Sequence, residues 1–129
     1  MNINELTEKI IGCGINVHKK LGPGYLEAVY QEALEYELKN TDIAFEREKE
    51  LMIAYDDIIL KKGFRCDFFV ENQVIVECKA VKKVTEMDFA QIINYLKAAE
   101  LRIGLLFNFN VPLFKDGIKR FINGYAKED

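Results

Sequence analysis

Two amphipathic helices are predicted in the first third of the chain, where apolar residues recur every three or four positions. The first covers about residues 4–20, and its apolar positions are Leu6, Ile10, Ile11, Val17 and Leu21. Gly22, Pro23 and Gly24 end it, because glycine commonly terminates a helix and proline cannot continue one. The second helix extends to about residue 39, and its buried stripe is Leu26, Val29, Tyr30, Ala33, Leu34 and Leu38.

A meander of three antiparallel strands is predicted to follow the helices. The first strand covers residues 44–55, where acidic and apolar residues alternate, so that one face is expected to be exposed to solvent. Two aspartates then turn the chain into a second strand over residues 58–70, which a bulge at residues 61–63 interrupts. A three-residue connection leads to the third strand, residues 74–81, which is apolar enough to be buried on both faces.

A third helix and a further strand complete the predicted order ααβββαβ. Thr85 and Asp88 form a pattern close to a capping box at the start of a helix that reaches about Glu100. The strand over residues 101–109 is expected to be parallel to a neighbour, because a helix separates the two. Residues 114–121 fit either a short helix or an edge strand. The sequence therefore predicts an α/β fold in which helices flank one mixed sheet.

Length and composition fit one domain over residues 1–129. Half of the residues are hydrophobic, which is enough for a core, and 30% are charged. No apolar run reaches the roughly 18–20 residues that span a bilayer, and the N-terminus does not resemble a signal peptide. We therefore expect a cytoplasmic protein without a membrane partner. The net charge of −3 argues against tight, nonspecific coating of nucleic acid, but not against a catalyst that brings bound cations to a phosphate.

The three cysteines, Cys13, Cys66 and Cys78, are predicted to be reduced residues of the core. They are widely spaced and form no CxxC pair. A zinc site would require closely spaced ligands, and the chain contains a single histidine, His18, near the end of the first helix. We interpret His18 as a helix cap that the helix dipole stabilises, rather than as a general base.

The third strand carries Glu77-Cys78-Lys79 within an otherwise apolar run. Because side chains alternate along a strand, Glu77 and Lys79 lie on the same face, where unpaired charges are costly. The tight connection makes the second and third strands antiparallel neighbours, so Asp67 can lie beside Glu77. Two carboxylates that close repel each other unless a cation binds them or one is protonated. Oxygen ligands on a rigid hairpin suit Mg²⁺ or Mn²⁺, and Lys79 could position a water or stabilise charge on a phosphate.

A structural role for the same charges is the alternative, and spacing alone leaves both interpretations open. Asp67 could pair with Lys79, or Glu77 with Arg65, as satisfied ion pairs. An acid-x-Lys triplet is expected about once by chance in a chain of this length. A second such triplet begins at Glu37, at a helix end where both charged side chains would be solvated. Only the Glu77 triplet is embedded in an apolar run, which favours a functional site there.

These residues resemble the PD-(D/E)xK nuclease superfamily, whose fold is restriction-endonuclease-like: nine residues separate Asp67 from Glu77-x-Lys79. The stretch from Gly24 to Tyr30, GYLEAVY, fits the GxxExxY signature of a family of small bacterial and archaeal proteins in that superfamily. The phrases HKKLGPG, which begins at residue 18, and FERE, which begins at residue 45, are also similar to that family. The resemblance covers about residues 10–121. Cys66 departs from it, because it occupies the position of the proline in the superfamily name.

The resemblance implies a metal-dependent site on the second and third strands. Asp67 and Glu77 correspond to metal ligands, together with the backbone carbonyl of Cys78. The metal implied is Mg²⁺ or Mn²⁺. Lys79 corresponds to the catalytic lysine.

Further residues enter the site through the resemblance, and each also has a milder interpretation. Glu27 corresponds to a helix acid that approaches the metal directly or through water, although the first turn of any helix favours an acid. Gln91 corresponds to a glutamine of the helix after the motif strand, and Tyr95 follows one turn later. These two side chains could simply hydrogen-bond each other. Tyr30 lies at helical spacing from Leu26 and fits the core better than a ligand position.

The leading functional prediction is a Mg²⁺- or Mn²⁺-dependent phosphodiesterase that acts on nucleic acid, and the expected substrate is DNA rather than RNA. An activated water would attack the scissile phosphate. The alternative is a noncatalytic module that retains the nuclease fold and binds nucleic acid or protein, which the acidic composition favours. A homodimer fits the enzyme prediction, since cleavage of both strands usually needs two sites.

Overall fold

The computed structural model describes residues 1–124, which form three α-helices, seven strands and one short 3₁₀ helix. The helices are α1 (Ile3–Leu21), α2 (Glu27–Lys39) and α3 (Glu86–Ala99). The strands are β1 (Phe45–Leu51), β2 (Ala54–Tyr55), β3 (Ile58–Ile59), β4 (Phe64–Val70), β5 (Val74–Lys79), β6 (Ile103–Asn108) and β7 (Ile118–Ile122). The 3₁₀ helix covers Phe114–Gly117. All three α-helices lie where the sequence predicts them.

Five strands form one mixed sheet in the order β1-β4-β5-β6-β7. β1, β4 and β5 are antiparallel neighbours, which confirms the predicted meander. α3 carries the chain across the sheet, so that β6 lies parallel to β5, as expected for two strands joined by a helix. β7 adds an antiparallel edge next to β6. The predicted α/β class is confirmed.

The predicted order ααβββαβ is found in the structure, which adds β7 and a small hairpin to it. For the tail, the two options that the sequence allows occur one after the other. The 3₁₀ helix ends at Gly117 and β7 begins at Ile118. Gly117 permits this change because glycine has no Cβ. A Cβ at that position would collide with the carbonyl oxygen of Asn108.

The predicted strands over residues 44–55 and 58–70 are each broken, and the residues between the breaks form a separate β2–β3 hairpin. Pairing of β1 with β4 ends at Leu51 and Phe64. A Cβ at Gly63 would collide with the carbonyl oxygen of Leu51, so the two chains converge there. Beyond this point the hairpin has no core to cover, and its large apolar side chains are more than half exposed: Tyr55, Ile58 and Ile59.

Apolar residues cover both faces of the sheet. On one face, α1 and α2 bury the larger cluster, which includes Leu34, Val76 and Phe107. On the other face, Leu96 of α3 packs against a smaller cluster that includes Ile75. β5 is therefore buried from both sides, as predicted.

The cysteines are buried and free: Cys13, Cys66 and Cys78. This confirms the predicted reduced thiols of the core. Burial raises the pKa of the Cys66 thiol to about 12, so it stays protonated and unreactive. Within residues 1–124, no helix has the length and apolar character needed to cross a membrane.

His18 does not cap its own helix, so that interpretation is wrong. Its Nε2 lies 2.7 Å from the carbonyl oxygen of Val111, and its ring stacks on Phe114 with a centroid distance of 5.3 Å. Gly22 caps the helix instead, through an N–H that donates to the carbonyl oxygen of His18. The histidine therefore ties α1 to the segment that follows β6.

Candidate active site

The β4–β5 hairpin brings Asp67 and Glu77 together at the point where its ladder of backbone hydrogen bonds ends. The last paired residues are Phe68 and Val76. Beyond them, the Glu77 carboxylate accepts a hydrogen bond from the backbone N–H of Asp67 at 2.7 Å. The Asp67 carboxylate accepts one from the N–H of Cys78 at 2.8 Å. Each acid therefore takes the place of a carbonyl that the opposite strand would otherwise supply.

Burial opposes ionisation of this carboxylate pair. It raises the pKa of Glu77 to about 8, and the nearby charge of Asp67 adds to the shift. Burial also raises the pKa of Asp67, against the opposing effect of its hydrogen bond from Cys78. Two carboxylates this close, one buried and one half-buried, disfavour the doubly charged state. A bound cation would therefore relieve repulsion within the fold.

Lys79 lies on the same strand as Glu77, and its ammonium group contacts the first turn of α3. The Lys79 Nζ is 3.7 Å from Asp88 Oδ1, and the lysine side chain is 22% exposed. Asp88 also completes the capping box of α3, which confirms that predicted pattern. Its carboxylate accepts a hydrogen bond from the Thr85 N–H, and this bond holds the pKa of Asp88 below its usual range. An anchored helix end thus holds Lys79 beside the carboxylate pair.

The two ion pairs considered as structural alternatives do not form. Lys79 pairs with the helix acid described above rather than with Asp67. Arg65 pairs with Glu48 at 3.6 Å rather than with Glu77. Within the described part of the chain, the carboxylate pair thus has no salt bridge to a lysine or arginine.

The triplet that begins at Glu37 has a different environment, although one detail of its prediction is wrong. The Glu37 side chain is not solvated: it is 12% exposed and binds Lys20 at 2.9 Å, which ties α2 to α1. Lys39 is 66% exposed, as expected. This triplet therefore contributes to helix packing, and its lysine, Lys39, lies outside the candidate site.

The backbone of Cys78 faces the same carboxylates. Within a strand, the N–H and C=O of one residue face the same neighbour, and those of the next residue face the opposite one. The Cys78 N–H donates to Asp67, whereas the Lys79 carbonyl oxygen accepts from the N–H of Phe109 on the other side. The Cys78 carbonyl is therefore expected on the Asp67 side, where the resemblance places a third oxygen ligand.

The segment between α1 and α2 places Glu27 at the first residue of α2. Partial burial raises the pKa of Glu27, and the charge of Asp67 adds to the shift, so Glu27 lies within electrostatic reach of the pair. Tyr30 is fully buried, which confirms its core interpretation. Its hydroxyl donates to the carbonyl oxygen of Gly22 at 2.6 Å and accepts from the N–H of Tyr25 at 3.1 Å. Tyr30 therefore fixes the segment that carries Glu27.

Removing the Tyr30 hydroxyl should loosen that segment. Tyr30→Phe deletes a donor and an acceptor that the backbone groups of Gly22 and Tyr25 use, and we expect the free energy of unfolding to fall by about 1–3 kcal/mol for the two hydrogen bonds. Urea denaturation measures the change. Tyr36→Phe is the matched control, since Tyr36 lies on the same helix and is 63% exposed. Equal stability of the two variants would contradict the anchoring role.

α3 carries Gln91 and Tyr95 past the same site, one turn apart. The Gln91 side chain lowers the pKa of Tyr95, so the two side chains lie close enough to interact, as the milder interpretation proposes. Burial raises the pKa of Tyr95, and the charges of Glu77 and Asp67 add to the shift. The Tyr95 ring stacks on Phe64 with a centroid distance of 4.1 Å. Tyr95 thus lies within electrostatic reach of the carboxylates, whereas Gln91 is exposed and touches this group of residues through Tyr95.

Sequence reasoning misses two charged neighbours of the site. Asp88 fits a helix cap, and nothing in the pattern indicates that it also holds Lys79. Arg47 of β1 lowers the pKa of Asp67, and Glu35 of α2 binds its guanidinium at 2.9 Å. The signal for Arg47 is its place in the FERE phrase, which could have marked it as part of the site.

Comparison with protein families agrees with this geometry. Residues 4–121 match the model of the PD-(D/E)XK nuclease superfamily, a range that includes every residue of the site described above. The chain belongs to the PD-(D/E)XK nuclease superfamily. Its mixed sheet with flanking helices is the restriction-endonuclease-like fold expected from the resemblance. No curated protein and no solved structure matches the chain.

The donor set suits the divalent metals that PD-(D/E)XK nucleases usually use. Asp67 and Glu77 each use one oxygen for a backbone N–H, which leaves the second oxygen of each for a cation. Among residues 1–124, no group of three or more His, Cys, Asp or Glu side chains could hold a metal. Two carboxylates and a backbone carbonyl fit Mg²⁺, which keeps several waters, better than Zn²⁺, which prefers nitrogen and sulfur ligands.

The raised pKa of Glu77 should make the stability of the metal-free nuclease fold depend on pH. The pKa rises from 4.5 to about 8 on folding. Between these values the folded state holds more protons than the unfolded state, so stability falls as the pH rises through the window. In EDTA above this window, Glu77→Gln keeps the hydrogen-bond acceptor and is expected to raise the Tm by about 3–6 °C.

Thermal melts across the pH range test this expectation. Glu77→Gln should flatten the pH dependence of the Tm between the two pKa values. Glu8→Gln removes the same charge from an exposed position of α1 and serves as the control. A Glu77 variant that keeps the pH profile of the wild type would contradict the shift.

Proposed function

We propose that the protein is a nuclease that hydrolyses phosphodiester bonds of nucleic acid with Mg²⁺ or Mn²⁺, and that its substrate is DNA. The observation that carries the proposal is the pair of the half-buried Asp67 and the buried Glu77, which has no salt bridge within residues 1–124 and lies next to Lys79. If the two acids had only a structural role, a lysine or arginine of the fold would be expected to form a salt bridge with them. Membership of a nuclease superfamily supports nucleic acid as the substrate class.

The residues of the proposed site divide between holding the metal and contacting the phosphate. Asp67, Glu77 and the backbone carbonyl of Cys78 would hold the metal. When bound, Mg²⁺ or Mn²⁺ supplies Lewis acidity that acidifies a water and stabilises charge on the scissile phosphate. Lys79 donates hydrogen bonds to a phosphate oxygen and positions the attacking water. Its ion pair with Asp88 keeps the ammonium group at the site before substrate binds.

Glu27 and Gln91 complete the proposed site from the two layers of helices. Glu27 lies within electrostatic reach of the carboxylate pair and is exposed, so we assign it to the metal through a water. Gln91, which lowers the pKa of Tyr95, is assigned as a positioning residue. Gly24 and Tyr30, which frame Glu27 in the sequence, support assignment to the GxxExxY family within the superfamily.

A cleavage assay tests the proposed activity. Purified protein is incubated with plasmid DNA, single-stranded DNA or RNA, each in Mg²⁺, in Mn²⁺ and in EDTA. We expect cleavage of DNA with either metal and none in EDTA. Absence of cleavage on every substrate, or cleavage that persists in EDTA, would contradict a metal-dependent nuclease.

A noncatalytic binding module is the second candidate, and the charge of the chain favours it. With a net charge of −3, the protein attracts nucleic acid weakly unless a metal neutralises the site. Such a module has no reason to bind Mg²⁺ at Asp67 and Glu77, so calorimetric titration with Mg²⁺ distinguishes the two functions. Binding of nucleic acid without any heat from the metal would favour the module.

Two further properties stay predictions. The free, buried thiols support a reducing compartment, and we propose the cytoplasm. A homodimer would supply the two sites that cleavage of both DNA strands usually needs. Sedimentation of the protein with and without DNA tests the dimer.

A further inference from the structure

A groove of about 250 Å³ lies beside the loop that joins β5 to α3. Lys82 and Lys83 of that loop line one part of it, and Lys119 of β7 lines another. The floor includes Asn108, at the end of β6. The two strands and the loop therefore place three ammonium groups around one depression, although Lys119 is distant from the other two in the sequence.

The charge of this groove is opposite to that of the whole chain. Its lining contains three lysines and one acid, Asp116, whereas the chain has a net charge of −3. Lys82, Lys83 and Lys119 are exposed, and none of them forms a salt bridge with a residue in the described range 1–124. Together with the single acid Asp116, three ammonium groups that form no salt bridge within residues 1–124 favour an anionic ligand with more than one charge.

The loop that carries two of these lysines is held at both ends. The buried side chain of Asn108 accepts a hydrogen bond from the Val81 N–H at 3.1 Å and donates to the Val81 carbonyl oxygen at 3.0 Å. At the other end, the capping box of Thr85 and Asp88 fixes the start of α3. The lysine-bearing loop is therefore preorganised, which lowers the entropic cost of binding a ligand.

The groove adjoins the proposed active site. Asn108 on its floor is paired with Lys79 in the sheet. Lys82 follows Lys79 by three residues, which span at most about 11 Å of extended chain. The first turn of α3 also joins the two regions, since Asp88 contacts Lys79 and the next residue, Phe89, lines the groove.

We propose that this groove binds backbone phosphates of the nucleic acid strand, about two or three nucleotides from the scissile phosphate. Successive phosphates of one strand are separated by about 3.4 Å along the axis of a duplex, so a strand held at Lys79 brings neighbouring phosphates to the groove. The proposal rests on the proposed function, because it takes Lys79 as the contact to the scissile phosphate. It assigns to Lys82, Lys83 and Lys119 the substrate affinity that the acidic chain otherwise lacks.

The test measures binding rather than cleavage, in EDTA, with a fluorescent DNA oligonucleotide and fluorescence anisotropy. The triple variant Lys82→Gln, Lys83→Gln and Lys119→Gln is compared with a control that loses the same charge elsewhere. The control is Lys9→Gln, Lys61→Gln and Lys62→Gln, all at exposed positions. We expect the groove variant to bind about tenfold more weakly at low salt, with a salt-dependence slope lower by about 2–3. The control should retain both values.

The outcomes separate this proposal from the proposed function. Equal weakening of the two triple variants, or an unchanged slope in the groove variant, overturns the groove. If poly-glutamate of matched charge competes as well as DNA, the groove recognises acidic protein and the proposal also fails. If the protein cleaves no substrate but the salt dependence of its DNA binding still depends on these lysines, the groove proposal stands and the proposed nuclease activity fails. Single Lys→Gln variants, each expected to lower the slope by about one, replace the triple variant if its melting curve shows that it does not fold.

Discussion

Lys79→Ala is expected to lower the rate of metal-dependent cleavage by about 10²–10³-fold, because it removes the preorganised donor proposed to contact the scissile phosphate. The same variant should still bind Mg²⁺, since Lys79 is not a ligand and its positive charge opposes the metal. The fold should tolerate the change. Asp88 keeps its hydrogen bond from the Thr85 N–H when the ion pair is lost.

The measurement is the initial rate of oligonucleotide cleavage, with a calorimetric titration of Mg²⁺ for each variant. Lys39→Ala is the matched control, because Lys39 belongs to the other acid-x-Lys triplet and is 66% exposed. Lys79→Arg keeps the charge but changes its shape, so it should recover only part of the rate. If Lys79→Ala cleaves as fast as the Lys39 variant, Lys79 has no role in the chemistry.

The second large effect concerns the metal. Mg²⁺ or Mn²⁺ at about 100 times its Kd should stabilise the wild type by about 2.7 kcal/mol, because it binds the folded state alone. For a chain of this size, such a change raises the Tm by roughly 5–15 °C. Asp67→Asn and Glu77→Gln should abolish this increase, since each removes a charged ligand from a site with two acidic side chains.

The two variants are suited to the test because they keep the architecture of the hairpin. Asparagine and glutamine retain a carbonyl oxygen that can accept the hydrogen bonds now made to Asp67 and Glu77. Without metal they should therefore be at least as stable as the wild type. Glu8→Gln, at an exposed position, should leave the metal response unchanged. A Tm increase that persists in Asp67→Asn would locate the metal elsewhere, and a lower Tm without metal would favour a purely structural pair.

Most of the main fold follows from the sequence, because its signals are local. Helical spacing and helix ends define α1, α2 and α3, and Thr85 with Asp88 marks the start of α3. The short connection after β4 makes β4 and β5 antiparallel, and the intervening helix makes β6 parallel to β5. In each case, neighbouring residues in the sequence determine the geometry.

The errors arise where contacts between distant residues decide the structure. The break at Gly63 depends on the close approach of Leu51, which lies on another strand. The start of β7 depends on the contact between Gly117 and Asn108. Alternation of apolar and polar residues cannot reveal either contact. It predicts long strands where the chain leaves the sheet.

The candidate site divides in the same way. Alternation and the tight hairpin are sufficient to place Asp67 beside Glu77. The partner of Lys79 is different, because Asp88 comes from a helix and its role as a cap explains its presence in the sequence. Glu27 and Gln91 enter through family resemblance alone, and their placement depends on how the helices pack.

The hydrogen bonds between β4 and β5 affect how this site can change over evolution. Asp67 and Glu77 each accept a backbone N–H, and losing such an acceptor in a buried position costs about 1–3 kcal/mol. Relatives that have lost cleavage activity should therefore still carry an oxygen-bearing side chain at both positions, because the fold needs these acceptors. No backbone group depends on Lys79 in this way, so mutation is free to replace it once chemistry is no longer selected. Among diverged relatives, the presence of the lysine rather than of the acids should distinguish catalytically active proteins from inactive ones.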